Sequence, residues 1–498
     1  MNVNPITRLD YPDLDVIRVE DTYYMVSTTM HFMPGCEILQ SFDLVHWEHV
    51  TYVYETLDHT DAQQLKSGQN IYGQGMWAAS LRYHEGRFCI CFVANDTRKT
   101  YLYTSEKIDG PWKKQLIEGF YHDGSLLFDE DGRNYIVYGN DEIWITELNE
   151  DLTAPKKDGL HRLLVSDHKN PELGYEGSHI QKINGYYYIF LIHSLRDRWM
   201  RTEACFYSDS LEGEFTGGDV LCDDRGYCGQ GVAQGGIVDT PDGKWYAMLF
   251  QDSGAVGRIP ILLPVTWKDH FPFFGQNGHV PEEIEVHSTR PGYIYQPLVG
   301  SDDFCNGLLP RWQFNHDPDP RYYHLDALQG TYTITTREVC TELTQAVNTL
   351  TQRMSYPSCA AEVTVDASAL KEGDVAGLCA LQSCYAAVGI TKHHGKYEVL
   401  MLDKKEDGIL DMMERTVVES HQMDFRLEAD FCNMKDEARC YYRVNKGDWL
   451  PIGTVHKLYF KLDHFTGCRF GLFCYAAEET GGSACFRDFK YYDVDEIS

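Results

Sequence analysis

The sequence predicts an all-β protein, a five-bladed β-propeller over residues 1–295 followed by a β-sandwich over residues 302–498. Three observations lead there. With 498 residues the chain is too long for one ordinary core, so two domains are expected. Aromatic residues make up 13% and glycine is frequent, while long helical periodicities are few, which favours strands over helices. Finally, one short unit recurs five times in the first 295 residues.

Each copy is a short apolar strand, an acidic or Asn turn usually followed by Gly, and an aromatic-rich strand. The copies begin at Val16, Leu81, Leu126, Ile180 and Ile237. Turn residues between β-branched and aromatic flanks make each copy a β-hairpin. Aligned positions Tyr24, Cys89, Tyr135, Tyr188 and Tyr246 lie 46 to 65 residues apart. A second pattern of Ser, turn and aromatic follows in several copies: Ser41 to Trp47, Ser105 to Trp112 and Ser208 to Phe215. Two hairpins per unit is the strand content of a propeller blade. A sandwich has no reason to repeat a two-hairpin unit five times.

A charged, then turn-rich crossing with Arg290, Pro297 and Ser301 places a linker near 290–301. From Phe304 onward, alternating patterns predict strands near 331–336, 360–365, 386–390, 397–402, 469–475 and 485–491, which suits a sandwich. His393 and His394 are adjacent and would point opposite ways on a strand, so with Gly395 they read as a solvated turn rather than a metal site.

The net charge of −31 repels phosphate backbones and anionic lipids, so neither nucleic acid nor membrane is an expected partner, whereas neutral ligands are unaffected. Sixteen cysteines without CxxC pairs read as reduced, mostly buried thiols. No leader pattern or membrane-length apolar run is present, and a cytoplasmic location is expected. Nucleotide, zinc-hydrolase and serine-hydrolase motifs are missing. Oligomeric state is open, and a homo-oligomer is compatible with the sequence.

In a propeller the first strand of every blade runs along the central channel, so equivalent positions converge on the axis. Counting back eight residues (seven in the first blade) from the turn residues Glu20, Glu85, Asp131, Asn184 and Asp242 gives Asp13, Trp77, Asp123, Glu176 and Gln234. Three of the five are carboxylates and none is aliphatic. Each alone reads as a turn or a solvated loop acid. Together, converging acids repel one another and lose hydration, which pushes their pKa values apart. Hydrolysis of a glycosidic bond needs such a pair: an acid that protonates the leaving oxygen and a base that deprotonates water. Trp77 would offer a flat wall to a sugar ring.

At these residues the chain resembles glycoside hydrolase family 43, the β-xylosidases and α-L-arabinofuranosidases. The similarity is carried by Asn4-Pro5 with Pro12-Asp13-Leu14-Asp15-Val16, by His122-Asp123-Gly124-Ser125-Leu126, and by Glu176-Gly177-Ser178-His179. The segments 27–35 and 41–47, and Gly257-Arg258 before 263–267, are also similar. The resemblance implies Asp13 as general base, Glu176 as a general acid kept protonated, and Asp123 as the acid that raises the pKa of Glu176 and orients the sugar. It places Arg258 beside Asp123, holding it ionised, and Phe32, Met30 and Trp77 around the sugar. It also implies an inverting exo-enzyme releasing xylose, arabinose or both from neutral oligosaccharides. The final 200 residues resemble the sandwich of the xylosidase branch, from which a loop closes the pocket; the aromatic stretch Arg321-Tyr322-Tyr323-His324 is one candidate. The chain departs from the family at Trp77-Ala78-Ala79-Ser80, at Met30 and at Gln234, which stands where many members carry an axial His. No cofactor is required, although an amide oxygen at Gln234 leaves room for calcium.

Overall fold

The computed structural model describes residues 2–493. Five antiparallel four-stranded sheets form the first domain. Blade one is Asp15–Val19, Thr22–Val26, Gly35–Ser41 and Glu48–Tyr54. Blade two is Met76–His84, Arg87–Ala94, Lys99–Ser105 and Lys113–Ile117. Blade three is Ser125–Phe128, Asn134–Asn140, Glu142–Leu148 and His161–Ser166. Blade four is Glu176–Ile183, Tyr186–Ser194, Arg201–Ser208 and Thr216–Leu221. Blade five is Val232–Asp239, Trp245–Asp252, Arg258–Lys268 and Phe271–Phe274. Each recurring hairpin supplies strands one and two of a blade. The Ser-turn-aromatic segments join strands three and four in blades one, two and four.

The first strands pack in ring order, with blade five returning to blade one. Asn2–Val3 pairs with Glu283–Ile284 beside blade five. Next to it the Asn4 amide donates to the carbonyls of Leu262 and Pro281 and accepts from Leu262 N–H, which ties the chain's start to the last blade. Aromatic side chains seal the seams: Tyr54, Phe92, Tyr101 and Tyr103 pack in one buried cluster between blades one and two. Along the channel a polar staple holds four blades. Arg82 of blade two pairs with Asp15 of blade one at 2.7 Å and donates to Leu126 O and Ser125 Oγ of blade three and to Ile180 O of blade four. Burial alone would raise the pKa of Asp15, but Arg82 and His179 hold it at about 2, so the staple stays charged.

The second domain stacks an eight-stranded sheet on a seven-stranded one. Its strands begin at Gln313–Asn315 and end at Ser483–Asp493, with a core that includes Leu378, Val388, Phe425 and Phe486. The two domains are not merely tethered. Phe32–Met33, in the first blade's second connection, adds an edge strand to the eight-stranded sheet by pairing with Gln313–Asn315. Arg353 of the sandwich pairs with Glu37 at 2.8 Å, and Ala255, Val256 and Ile259 of the propeller sit in the sandwich core. Burial of paired charges and apolar residues across the seam makes the domains one packed unit. His393 ends its strand, and His394 and Gly395 turn the corner with left-handed φ of 49° and 73°.

Candidate active site

The channel mouth is built by backbone turns that enter each blade's first strand. Asp13, Asp123 and Gln234 adopt left-handed φ of 51°, 48° and 61° there, as do Ala78 (24°) and Gly177 (63°). The left-handed set is thus Asp13, Ala78, Asp123, Gly177 and Gln234. Trp77 and Glu176 stand one residue earlier, so the counting rule joined two adjacent positions rather than one. The register shifts in blades two, four and five fall at these turns. Gly177 suits its place: its φ is left-handed, and an added Cβ would lie 2.7 Å from the Gln234 side chain, which would have to shift.

On the blade-one side, Asp13 is buried and both oxygens are engaged. Thr28 Oγ1 donates to Oδ2 at 2.6 Å and Arg258 Nη1 pairs with Oδ1. Arg258 also reaches Asp252 Oδ1 at 3.2 Å, and Arg201 approaches the other oxygen of Asp252 at 3.2 Å. The expected pairing of Arg258 with Asp123 is therefore corrected. Arg258 opens the third strand of blade five, which neighbours blade one in the ring, so its guanidinium meets Asp13.

On the opposite side, His122, Asp123 and Glu176 bring their titratable atoms within 4.8 Å of one another. Asp123 Oδ2 accepts the Gly177 N–H at 2.9 Å, and Asn140 Nδ2 donates to Glu176 Oε2 at 2.8 Å. His122 Nε2 lies 3.5 Å from Asp123 and 3.6 Å from Glu176. Burial, reinforced by the Glu176 and Asp13 charges, pushes Asp123 up to about 6. The Asp123 and Glu176 carboxylates push His122 up to about 9 against burial. Burial would also raise Glu176, but His122, Arg201 and Arg258 outweigh it and hold Glu176 below its ordinary range. The surroundings thus run against the expectation that Glu176 rests protonated: they lower the pKa of Glu176 and raise that of His122.

Trp77 stays partly exposed at the mouth, its ring edge-on to His122 and to Phe465 of the sandwich, with centroids 6.3 and 5.2 Å away. Phe465 also lies under the Arg258 guanidinium at 3.9 Å. Its loop is anchored by Gly467 N–H to Asp10 at 2.7 Å and by Cys468 N–H to Ala255 O at 2.8 Å. This loop, not Arg321 to His324, is the sandwich's contribution to the pocket. Tyr323 and His324 belong to an edge strand, Tyr323–Asp326, of the far sheet.

Two expected subsite residues move out of the site. Phe32 is 1% exposed, capped by Arg469 at 3.4 Å and by His31, because its strand is absorbed into the sandwich sheet. Met30 is fully buried, its sulfur 3.3 Å from Thr466 Oγ1. Both are seam residues. Gln234 is buried on the axis beneath the acids, its backbone N–H donating to Glu203 at 2.7 Å. There Asp15, Ser80, His179 and Gln234 help line a cavity of about 10 Å³. That is room for about one water, and Arg82 pairs with Asp15 beside it. Sequence reasoning missed Asn140, Arg201 and Phe465, which carry no local motif; His122 was in view inside the Asp123 motif but was given no role.

A closed ring of blades with acids of distinct environment at its mouth is an arrangement that hydrolysis of a glycosidic bond can use. Residues 3–272 match the model of glycosyl hydrolases family 43, and residues 301–492 match the β-xylosidase C-terminal concanavalin A-like domain. The chain belongs to glycosyl hydrolase family 43. A β-xylosidase of Formosa agariphila is 27% identical, over 99% of this chain and 89% of its own length. Among solved structures, a bifunctional GH43-CE protein of Bacteroides eggerthii is 42% identical with a TM-score of 0.91, over 99% of this chain; the chain spans 63% of that protein. A family 43 enzyme engineered at its active site to display both endo-xylanase and exo-arabinofuranosidase activity is 27% identical with a TM-score of 0.88, over 99% of both chains.

Proposed function

We propose that this glycoside hydrolase is an inverting exo-enzyme that releases xylose, arabinose or both from the non-reducing ends of neutral oligosaccharides. The observation that carries the reading is the unequal treatment of two carboxylates on non-neighbouring blades. Asp13 is held by a cation and a hydroxyl, which fixes its orientation, as suits a base that takes a proton from water. Glu176 sits among groups that exchange a proton, which suits the acid that serves the leaving oxygen. Asp123, which accepts the Gly177 N–H, orients the sugar, and its charge favours the protonated form of its neighbours. Trp77 and Phe465 pack edge to face as an apolar wall beside the acids. No cofactor enters these steps.

The choice between xylose and arabinose turns on the sugar pocket, and the name of the Formosa relative favours xylose. A dual-specificity enzyme is the second reading, favoured by the relatives of Butyrivibrio fibrisolvens and Humicola insolens that are named xylosidase/arabinosidase. Turnover of aryl β-xyloside against aryl α-arabinofuranoside decides between them, and proton NMR of the first-formed anomer tests inversion. Cleavage of neither substrate, or retention of configuration, would remove the proposal.

A further inference from the structure

Among the titratable groups at the mouth, His122 is the one that the reading above does not use. Its ring is mostly buried, and its Nε2 has no hydrogen-bond partner. A buried polar nitrogen without a partner needs an explanation. Its position is held from behind, since the His122 carbonyl accepts the Gly139 N–H at 3.0 Å, and its ring meets the edge of Trp77. Nε2 is almost equidistant from Asp123 Oδ2 at 3.5 Å and Glu176 Oε2 at 3.6 Å. Both distances are about half an ångström beyond a hydrogen bond, so a small shift of the ring joins it to either acid.

We propose, building on the assignment of Glu176 as the general acid, that His122 is the positioning residue that stores the proton Glu176 delivers. The charged groups facing it are Asp123 on its own turn, Glu176 from blade four and Asp13 from blade one; blade two presents the neutral Trp77. The Arg201 and Arg258 charges act on Glu176 from blades four and five. With the imidazolium in place, Glu176 is ionised. A neutral sugar entering the mouth displaces water and makes the His122–Glu176 charge pair costlier. The Nε2–H proton then passes to Glu176 Oε2, leaving neutral imidazole and a neutral carboxylic acid. Glu176 protonates the leaving oxygen as the glycosidic bond breaks, and Asp13 takes one proton from the attacking water. Asp13 returns its proton to solvent and His122 takes one up, so one water is consumed and no net proton is gained.

The test compares wild type, His122→Gln, His122→Asn and Glu176→Gln on an unactivated xylo-disaccharide and on a dinitrophenyl xyloside, whose leaving group needs no proton. The His122 variants are expected to lose about 10²-fold in kcat on the disaccharide and under tenfold on the dinitrophenyl substrate. Their alkaline limb of kcat/KM should fall by more than one pH unit. In wild type that limb is expected near 9, where His122 loses its proton, which is a readout independent of whether either variant folds. An equal loss on both substrates, an unmoved limb in the variants, or a wild-type limb near 6 overturns the proposal. If Glu176→Gln keeps full rate on the disaccharide, it is the assignment of Glu176 that fails, and the His122 data remain separately readable.

Discussion

The two sides of the channel mouth hold carboxylates by opposite means. Asp13 is fixed at both oxygens, by Thr28 and by Arg258, and Arg258 is itself fixed by Asp252. Glu176 has one hydrogen bond, from Asn140, and otherwise faces His122 across 3.6 Å. One side is an ion pair with no freedom, and the other is a looser cluster of two carboxylates and an imidazole. Under the proposed roles, that difference suits a base held in one orientation and an acid that must be reloaded with a proton.

Removing the pinned carboxylate is the severest break. Asp13→Asn is expected to cut kcat by about 10³- to 10⁴-fold on aryl glycosides and disaccharides alike, because activation of water does not depend on the leaving group. If a dinitrophenyl glycoside is spared, Asp13 is not the base. Removing the pin itself comes next. Arg258→Met strands Asp13 and leaves Asp252 with Arg201 alone, and is expected to lower unfolding free energy by about 3–5 kcal/mol in urea titrations. A loss under about 1 kcal/mol would mean the pair does not fix the base.

The looser side makes a pH prediction. Asp123 has a folded-state pKa of about 6 against its ordinary 3.8. A raised value means that protonation favours the folded state, so this contribution is full below about pH 4 and lost as pH rises through 6. Asp123→Asn removes that penalty. Its stability relative to wild type should therefore grow by about 3 kcal/mol between pH 4 and pH 7, read from paired denaturation curves. A difference that is flat in pH would contradict the environment described here. The smallest effect is expected for Asn140→Ala, which deletes the single hydrogen bond to Glu176. A loss of about tenfold in kcat/KM on unactivated substrates is predicted, with little change in stability.

Much of this arrangement is written locally. The five hairpins and the Ser-turn-aromatic segments announce themselves because turn chemistry and strand alternation act over a few residues, and the repeat places the first strands on one axis. Asp13, Asp123 and Glu176 could be drawn to the mouth from their spacing alone. Spacing did not reveal that Glu176 and Trp77 stand one residue before the left-handed position, since a one-residue offset in a turn leaves no trace in composition. Nor could it reveal which acid Arg258 meets, because that depends on blade five closing against blade one. Phe32 and Met30 looked like sugar contacts until the sandwich sheet took in the strand beside them, a pairing between residues nearly 300 positions apart.

The sequence alone determined the repeat, the blade count and the supply of acids to the channel, because hairpin formation and strand register are short-range choices. The tertiary structure decided how each acid is charged, which sandwich loop forms the wall, and where His122 stands, because solvent exclusion and charge pairing arise only when distant segments meet.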